Sequence, residues 1–163
     1  MKSYLEFRQA LATRESSDPP GLGNAPKIVN KCGYIGKYQF GKPRLSDLGV
    51  VKRNYLFQWV WVPPMSLERF LADEAFQDHV FDVHVALLGK AISENFSEHV
   101  FSLSGGIAVA HLLGPGGFAA YLNGVNKADA FGTKASEYYK TFSDYEIPWE
   151  TLPTKVVMPA ADR

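Results

Sequence analysis

The chain has 163 residues, 46% of them apolar and 21% charged, which fits one soluble globular domain with a substantial core. Seventeen basic residues balance seventeen acidic ones, so no global field draws the protein to nucleic acid or to an anionic membrane, and any specificity must be local. The single Cys32 excludes an internal disulfide, and no apolar run approaches ~20 residues, so no membrane span is expected. The polar start Met1-Lys2-Ser3 lacks the apolar core of a signal peptide, so export is expected to need another route or a removed leader.

Ser3-Tyr4-Leu5-Glu6 has the form of a capping box, and Asp18-Pro19-Pro20 must end the helix that it starts, because proline disfavours the helical conformation of the residue before it. The helix is predicted from about residue 4 to about residue 17. At ~100° per residue, Tyr4, Phe7, Leu11 and Glu15 fall on one side, and Glu6, Gln9 and Thr13 on the other. Glu15 thus lies on the apolar stripe in the last turn, where partial burial and the helix dipole both push a carboxyl pKa upward. A carboxylic acid kept protonated near neutral pH is what protonation of a glycosidic oxygen requires. The plainer reading leaves Glu15 at the edge of the stripe, paired with Arg8 or Arg14 in water.

Residues 18–32 carry Pro19, Pro20, Gly21, Gly23 and Pro26 and are expected to form a loop suited to lie over a groove. Cys32 is expected to be a buried or tolerated thiol, since nothing near it in sequence lowers its pKa. Pro43 opens a short helix through Asp47, and Gly49 closes it. Tyr55 to Val62 reads as a strand stopped by Pro63-Pro64. A helix starts at Ser66-Leu67-Glu68-Arg69, and Phe76, Val80, Val83 and Leu87 give a longer one through about Asn95. Val100 to Leu113 is apolar almost all round, with Gly105-Gly106 inside, the pattern of a buried central helix whose glycines admit a close neighbour. Gly114-Pro115-Gly116-Gly117 then breaks the chain before Phe118. A last helix is predicted from about Lys134 to Phe142, and the tail from Ile147, with Pro148, Pro153 and Pro159, is expected to be extended and loosely held.

Several of these residues together resemble a known family. Glu15-Ser16-Ser17 resembles the Glu-Ser motif of the soluble lytic transglycosylases and goose-type lysozymes. Gly33-Tyr34-Ile35-Gly36-Lys37-Tyr38-Gln39 resembles their Gly-x-x-Gly-Leu-Met-Gln motif, with Gly36 and Gln39 matching and Lys37-Tyr38 replacing Leu-Met. Ala110-His111-Leu112-Leu113-Gly114-Pro115-Gly116 resembles the third motif, Ala-Tyr-Asn-Ala-Gly-Pro-Gly, and Tyr138 resembles the tyrosine of the fourth, which leans over the glutamate. The motifs stand in family order from residue 15 to residue 139.

The resemblance implies a mainly α, lysozyme-like single domain over residues 1–146 with little or no β structure, followed by a tail over 147–163. It implies an enzyme that cleaves the β-1,4 bond between N-acetylmuramic acid and N-acetylglucosamine in peptidoglycan, with Glu15 as the catalytic acid and no cofactor or metal. Ser17, Tyr34, Tyr38, Gln39, His111 and Tyr138 are then the expected substrate-binding residues. Tyr34 and Tyr38 fit sugar platforms or core aromatics alike, as do Trp59, Trp61 and Trp149. His111 and Leu112 stand where the family has Tyr and Asn, so the amide that helps hold the sugar is missing. His111 is either a substitute donor or a core histidine bonded to backbone. His79 and His84 lie five apart, wrong for an i, i+4 metal pair, and are expected at the surface. The glycine pairs fit neither a phosphate-binding loop nor a dinucleotide fingerprint.

Mechanism turns on a second carboxylate. An inverting hydrolase needs one about 6.5–9.5 Å from the acid, and a retaining enzyme needs one closer; Asp18 and Asp47 are the candidates. The transglycosylase pattern instead uses one glutamate twice. The rival readings are a hydrolysing muramidase, a non-catalytic glycan-binding or structural module, and a chitin-directed glycosidase. Action in the periplasm or cell wall is implied, with delivery by phage lysis, by a secretion system or as part of a larger exported protein. Secretion-system or phage proteins and an immunity protein are the corresponding protein partners.

Overall fold

A computed structural model describes residues 1–16, 29–30 and 32–161. Among these the protein is mainly helical: α1 (Tyr4–Ser16), α2 (Lys42–Asp47), α3 (Leu67–Ala72), α4 (Glu74–Asn95), α5 (Leu103–Leu122) and α6 (Ala135–Phe142), with one small antiparallel sheet, β1 (Val51–Arg53) and β2 (Trp59–Trp61), and a single 3-10 turn at Trp149–Thr151. The chain divides into two compact units, one made of residues 1–9 and 85–152 and the other of residues 10–84 and the chain from Pro153 onward.

The capping box forms as the sequence predicts. The backbone N–H and hydroxyl of Ser3 donate to Glu6 Oε2 at 2.8 and 2.9 Å, and Glu6 N–H returns a bond to Ser3 Oγ. The Ser3 backbone N–H, foremost, holds the Glu6 carboxyl below the usual carboxylate range. In α1 the stripe is realised, since Phe7 and Leu11 are fully buried and Tyr4 and Glu15 half-buried, while Glu6, Gln9 and Thr13 face water. Full burial of Phe7 and Leu11 contributes roughly 1.5–3 kcal/mol each.

In the first unit, α5 is central. Every residue from 104 to 110 is buried, and its glycines are there for close approach: a Cβ on Gly105 would lie 2.7 Å from Ser143 Oγ and one on Gly106 2.8 Å from the Phe118 ring. Gly105 meets α6, whose Tyr139 hydroxyl accepts from Ser102 N–H at 2.7 Å. At Gly114 (φ 75°, ψ 169°) the helix kinks as the Gly-Pro-Gly-Gly run leads one to expect, but Pro115, Gly116 and Gly117, expected to break the chain too, are helical and carry α5 on to Leu122. By length and composition α5 is long and apolar enough to cross a bilayer, with half of that window buried inside the protein. Phe7 packs edge-on against Phe142 and Tyr145, and Lys2 pairs with the backbone of Asp144 and Glu146.

In the second unit, α2 opens on proline and is closed by Gly49 at φ 79°, as predicted. The predicted strand from Tyr55 to Val62 is corrected. Only Trp59–Trp61 is extended, paired with Val51–Arg53, and Tyr55–Phe57 form the loop between the two strands. Asn54 explains the turn, because its Oδ1 accepts from the N–H groups of both Leu56 and Gln58 and so closes the chain locally. The helix from Ser66 and the longer one through Asn95 stand as α3 and α4, and the Asp73 side chain caps the start of the second by accepting from Phe76 N–H at 2.9 Å. The tail is not loose. Arg69 Nη2 donates to Ala160 O at 2.6 Å, and Val157 N–H donates to His79 Nε2 at 2.9 Å.

Candidate active site

Glu15 sits in the last turn of α1, half-buried, next to Ser16, whose hydroxyl turns back to the Ala12 carbonyl. Ser17 and Asp18 lie outside the described residues, as does the proline-rich loop except for residues 29, 30 and 32. Cys32 is exposed, and its N–H donates to Asn30 Oδ1 at 2.8 Å.

The glycine-rich motif forms a tight turn. Ile35 and Phe40 exchange two backbone hydrogen bonds and so close a loop of Gly36, Lys37, Tyr38 and Gln39. Gly36 has φ 78°, and a Cβ there would lie 2.3 Å from Gln77 Oε1 and 3.2 Å from the Phe70 ring, so only glycine fits. The close neighbour is therefore α4, through Gln77, whose Oε1 also accepts from Lys37 N–H at 2.8 Å while its Nε2 donates to Phe70 O. Gln39 adopts φ 52°, rare for a residue with a side chain, and its Nε2 donates to Gly36 O at 2.8 Å.

The two tyrosines of this turn part company. Tyr34 is 43% exposed, its edge near Gly41, and is open to a ligand face. Tyr38 is 1% exposed, stacks on Phe81 at 4.0 Å and donates its hydroxyl to Asp78. Of its two readings the core one fits, and the sugar-platform role does not. Lys37 is buried as well, with Nζ 2.8 Å from Glu74 and 2.7 Å from Asp78, so this part of the motif is an ionic anchor onto α4.

Asp47 points outward, 68% exposed, 3.6 Å from Arg44 Nη1. Burial, foremost, lowers the Arg44 pKa, and Asp47 offsets it. Arg44 Nε donates to His84 Nδ1 at 2.8 Å, and His84 is buried rather than at the surface. A helical pattern read at four- and three-residue steps from Phe76 passes over His84, which is why its burial was missed.

His111 and Tyr138 belong to the first unit, on α5 and α6; His111 is half-buried, and Tyr138 is 3% exposed with its ring 5.3 Å from Phe142. A cavity of about 230 Å³ in the same unit, lined by Ile92, Phe96, Pro115 and Ala119 among others, holds no titratable side chain and so offers no acid or base. Compared with protein-family models, curated proteins and solved structures, the chain matches none.

Proposed function

We propose that this protein is a lysozyme-like glycosidase that cleaves peptidoglycan glycan strands at the cell wall by the single-glutamate chemistry of lytic transglycosylases. The observation that carries the reading is Glu15, a carboxyl half-buried at the end of an apolar stripe that holds Leu11 and Phe7 four and eight residues earlier. Glu15 gives its proton to the oxygen between N-acetylmuramic acid and N-acetylglucosamine as the C1–O bond breaks. The resulting carboxylate then takes the proton of the muramyl 6-hydroxyl while that oxygen closes on C1, giving a 1,6-anhydro end and restoring the acid. Tyr34 supplies an open ring for a sugar face, and Gln39, in the same unit as Glu15, shapes the site. Asp47, turned outward beside Arg44, is poorly disposed to activate water, which favours this route over a hydrolysing muramidase.

Leu112, where the family has the sugar-holding Asn, favours a second reading, a module that binds glycan without cutting it. Mass spectrometry of purified peptidoglycan treated with the protein separates the two. Anhydro-muramyl ends are expected, lost in Glu15→Gln by on the order of a hundredfold or more. Reducing ends would point to the muramidase, and intact glycan to the binding module. A Glu15→Gln protein that digests at the wild-type rate would sink the assignment of the acid.

A further inference from the structure

Between Leu48 and Leu67 the only charged side chains are Lys52 and Arg53. They lie at the end of β1, immediately before a loop whose Tyr55, Leu56 and Phe57 are 89%, 58% and 77% exposed. Single exposed apolar residues are ordinary, but three large ones in a row at the tip of a hairpin form a patch that water disfavours.

We propose that this tip is a membrane-interface anchor: Tyr55, Leu56 and Phe57 enter the headgroup and outer acyl region of an anionic bilayer, and Lys52 and Arg53 bind lipid phosphate. The backbone is prepared for such a medium. Asn54 N–H donates to Gln58 O, Phe57 N–H to Asn54 O, and the N–H groups of Leu56 and Gln58 to Asn54 Oδ1. Arg53 Nη1 donates in turn to Phe57 O. A segment leaving water is favoured when its polar backbone is satisfied internally, and these bonds engage the N–H groups of Leu56, Phe57 and Gln58. Tyrosine and tryptophan suit the boundary, where a ring meets hydrocarbon and its polar atom meets water. Trp59 stands just behind the tip with the Arg53 guanidinium 4.1 Å from its ring, so cation and aromatic are presented together. The sign of the charge selects an anionic surface. A glycan fits less well, since the N–H groups of Leu56, Phe57 and Gln58, which could otherwise donate to sugar hydroxyls, are already engaged.

The anchor does not depend on the glycosidase reading, and its test does not measure cleavage. The full chain is mixed with vesicles of phosphatidylcholine alone or with phosphatidylglycerol, and partition is read by co-sedimentation and by quenching of tryptophan fluorescence with brominated acyl chains. Binding is expected to the anionic vesicles and to weaken with added salt. Leu56→Ser with Phe57→Ser is expected to weaken it at least about tenfold, and Lys52→Glu about fivefold or more at low salt. Thermal melting of each variant checks that the fold is kept. Tyr55→Ser, at the most exposed tip position, repeats the test with a smaller loss. Wild-type protein left in the supernatant with anionic vesicles, partition unchanged by the tip substitutions, or equal binding to neutral vesicles would overturn the proposal.

Discussion

Two tight turns in the second unit each hold a non-glycine residue in the left-handed region, Gln39 at φ 52° and Phe57 at φ 58°, and in other respects they are inverted copies of each other. In the turn from Gly36 to Gln39 the rare conformation belongs to a buried polar residue, and polar side chains of α4 complete the hydrogen bonding. In the turn from Asn54 to Gln58 it belongs to an exposed phenylalanine, and one local asparagine does the closing. The first turn is therefore specified by the rest of the fold. The second closes itself, so the fold places no demand on its apolar side chains, and their presence calls for a function outside the fold. Buried polar groups and exposed apolar ones are both exceptions to the usual partition of residues, but only the first has its reason inside the molecule.

The largest effect that tests this contrast is expected at Gly36. An alanine there takes on left-handed strain of about 1–2 kcal/mol and drives its Cβ against Gln77 Oε1. Displacing that oxygen strands the buried Lys37 N–H, at a cost of roughly 1–3 kcal/mol. Gly36→Ala should therefore lose about 2–5 kcal/mol in chemical denaturation. A loss under about 0.5 kcal/mol would mean that the turn floats free of α4.

Next in size is Gln77→Leu, which keeps volume and removes both amide bonds, to Lys37 N–H and Phe70 O. A fall of roughly 1–3 kcal/mol is expected. The matching change at the other turn, Gln58→Leu, removes only an exposed side-chain contact with Asn54 and should stay within about 0.5 kcal/mol of wild type. Equal losses at the two positions would break the comparison.

What was legible in the sequence follows the same division. The Ser3–Glu6 box, Pro43, the 100–113 apolar run and the Gly114 break are local signals, and the helices stand where those signals put them. The match of Gly36 to the glycine-rich motif was also legible, but the neighbour that requires glycine there, Gln77, lies forty-one positions along the chain. Burial of Tyr38 and of His84 depends on partners of that kind, Asp78 for one and Arg44 for the other, which no local pattern reveals. The hairpin was misread for the opposite reason. Tyr55, Leu56 and Phe57 are strand-forming residues by type, and the single Asn54 turns the chain against them. The tail was misjudged because proline content says nothing about the two hydrogen bonds that hold it.

The smallest effect carries a sign, and the sign is what matters. Glycine at position 57 removes the left-handed penalty of about 1–2 kcal/mol, while its greater freedom in the unfolded chain takes back roughly 0.5–1 kcal/mol. With the ring 77% exposed there is little packing to lose, so Phe57→Gly should raise stability slightly, by up to about 1 kcal/mol or a few degrees in Tm. Gln39→Gly receives the same backbone relief and the same entropic cost, but it also gives up the bond from Nε2 to Gly36 O and the packing of a 9% exposed side chain. Its Tm should fall. Measured by calorimetry under one set of conditions, the two substitutions should thus move in opposite directions from nearly equal starting angles. If Phe57→Gly melts lower than wild type, the phenylalanine contributes to the fold, and the claim that the tip is surplus to folding fails. If it melts higher yet partitions less onto anionic vesicles, stability and surface binding have been separated at a single residue, as expected where an apolar ring is held in a conformation that suits glycine better.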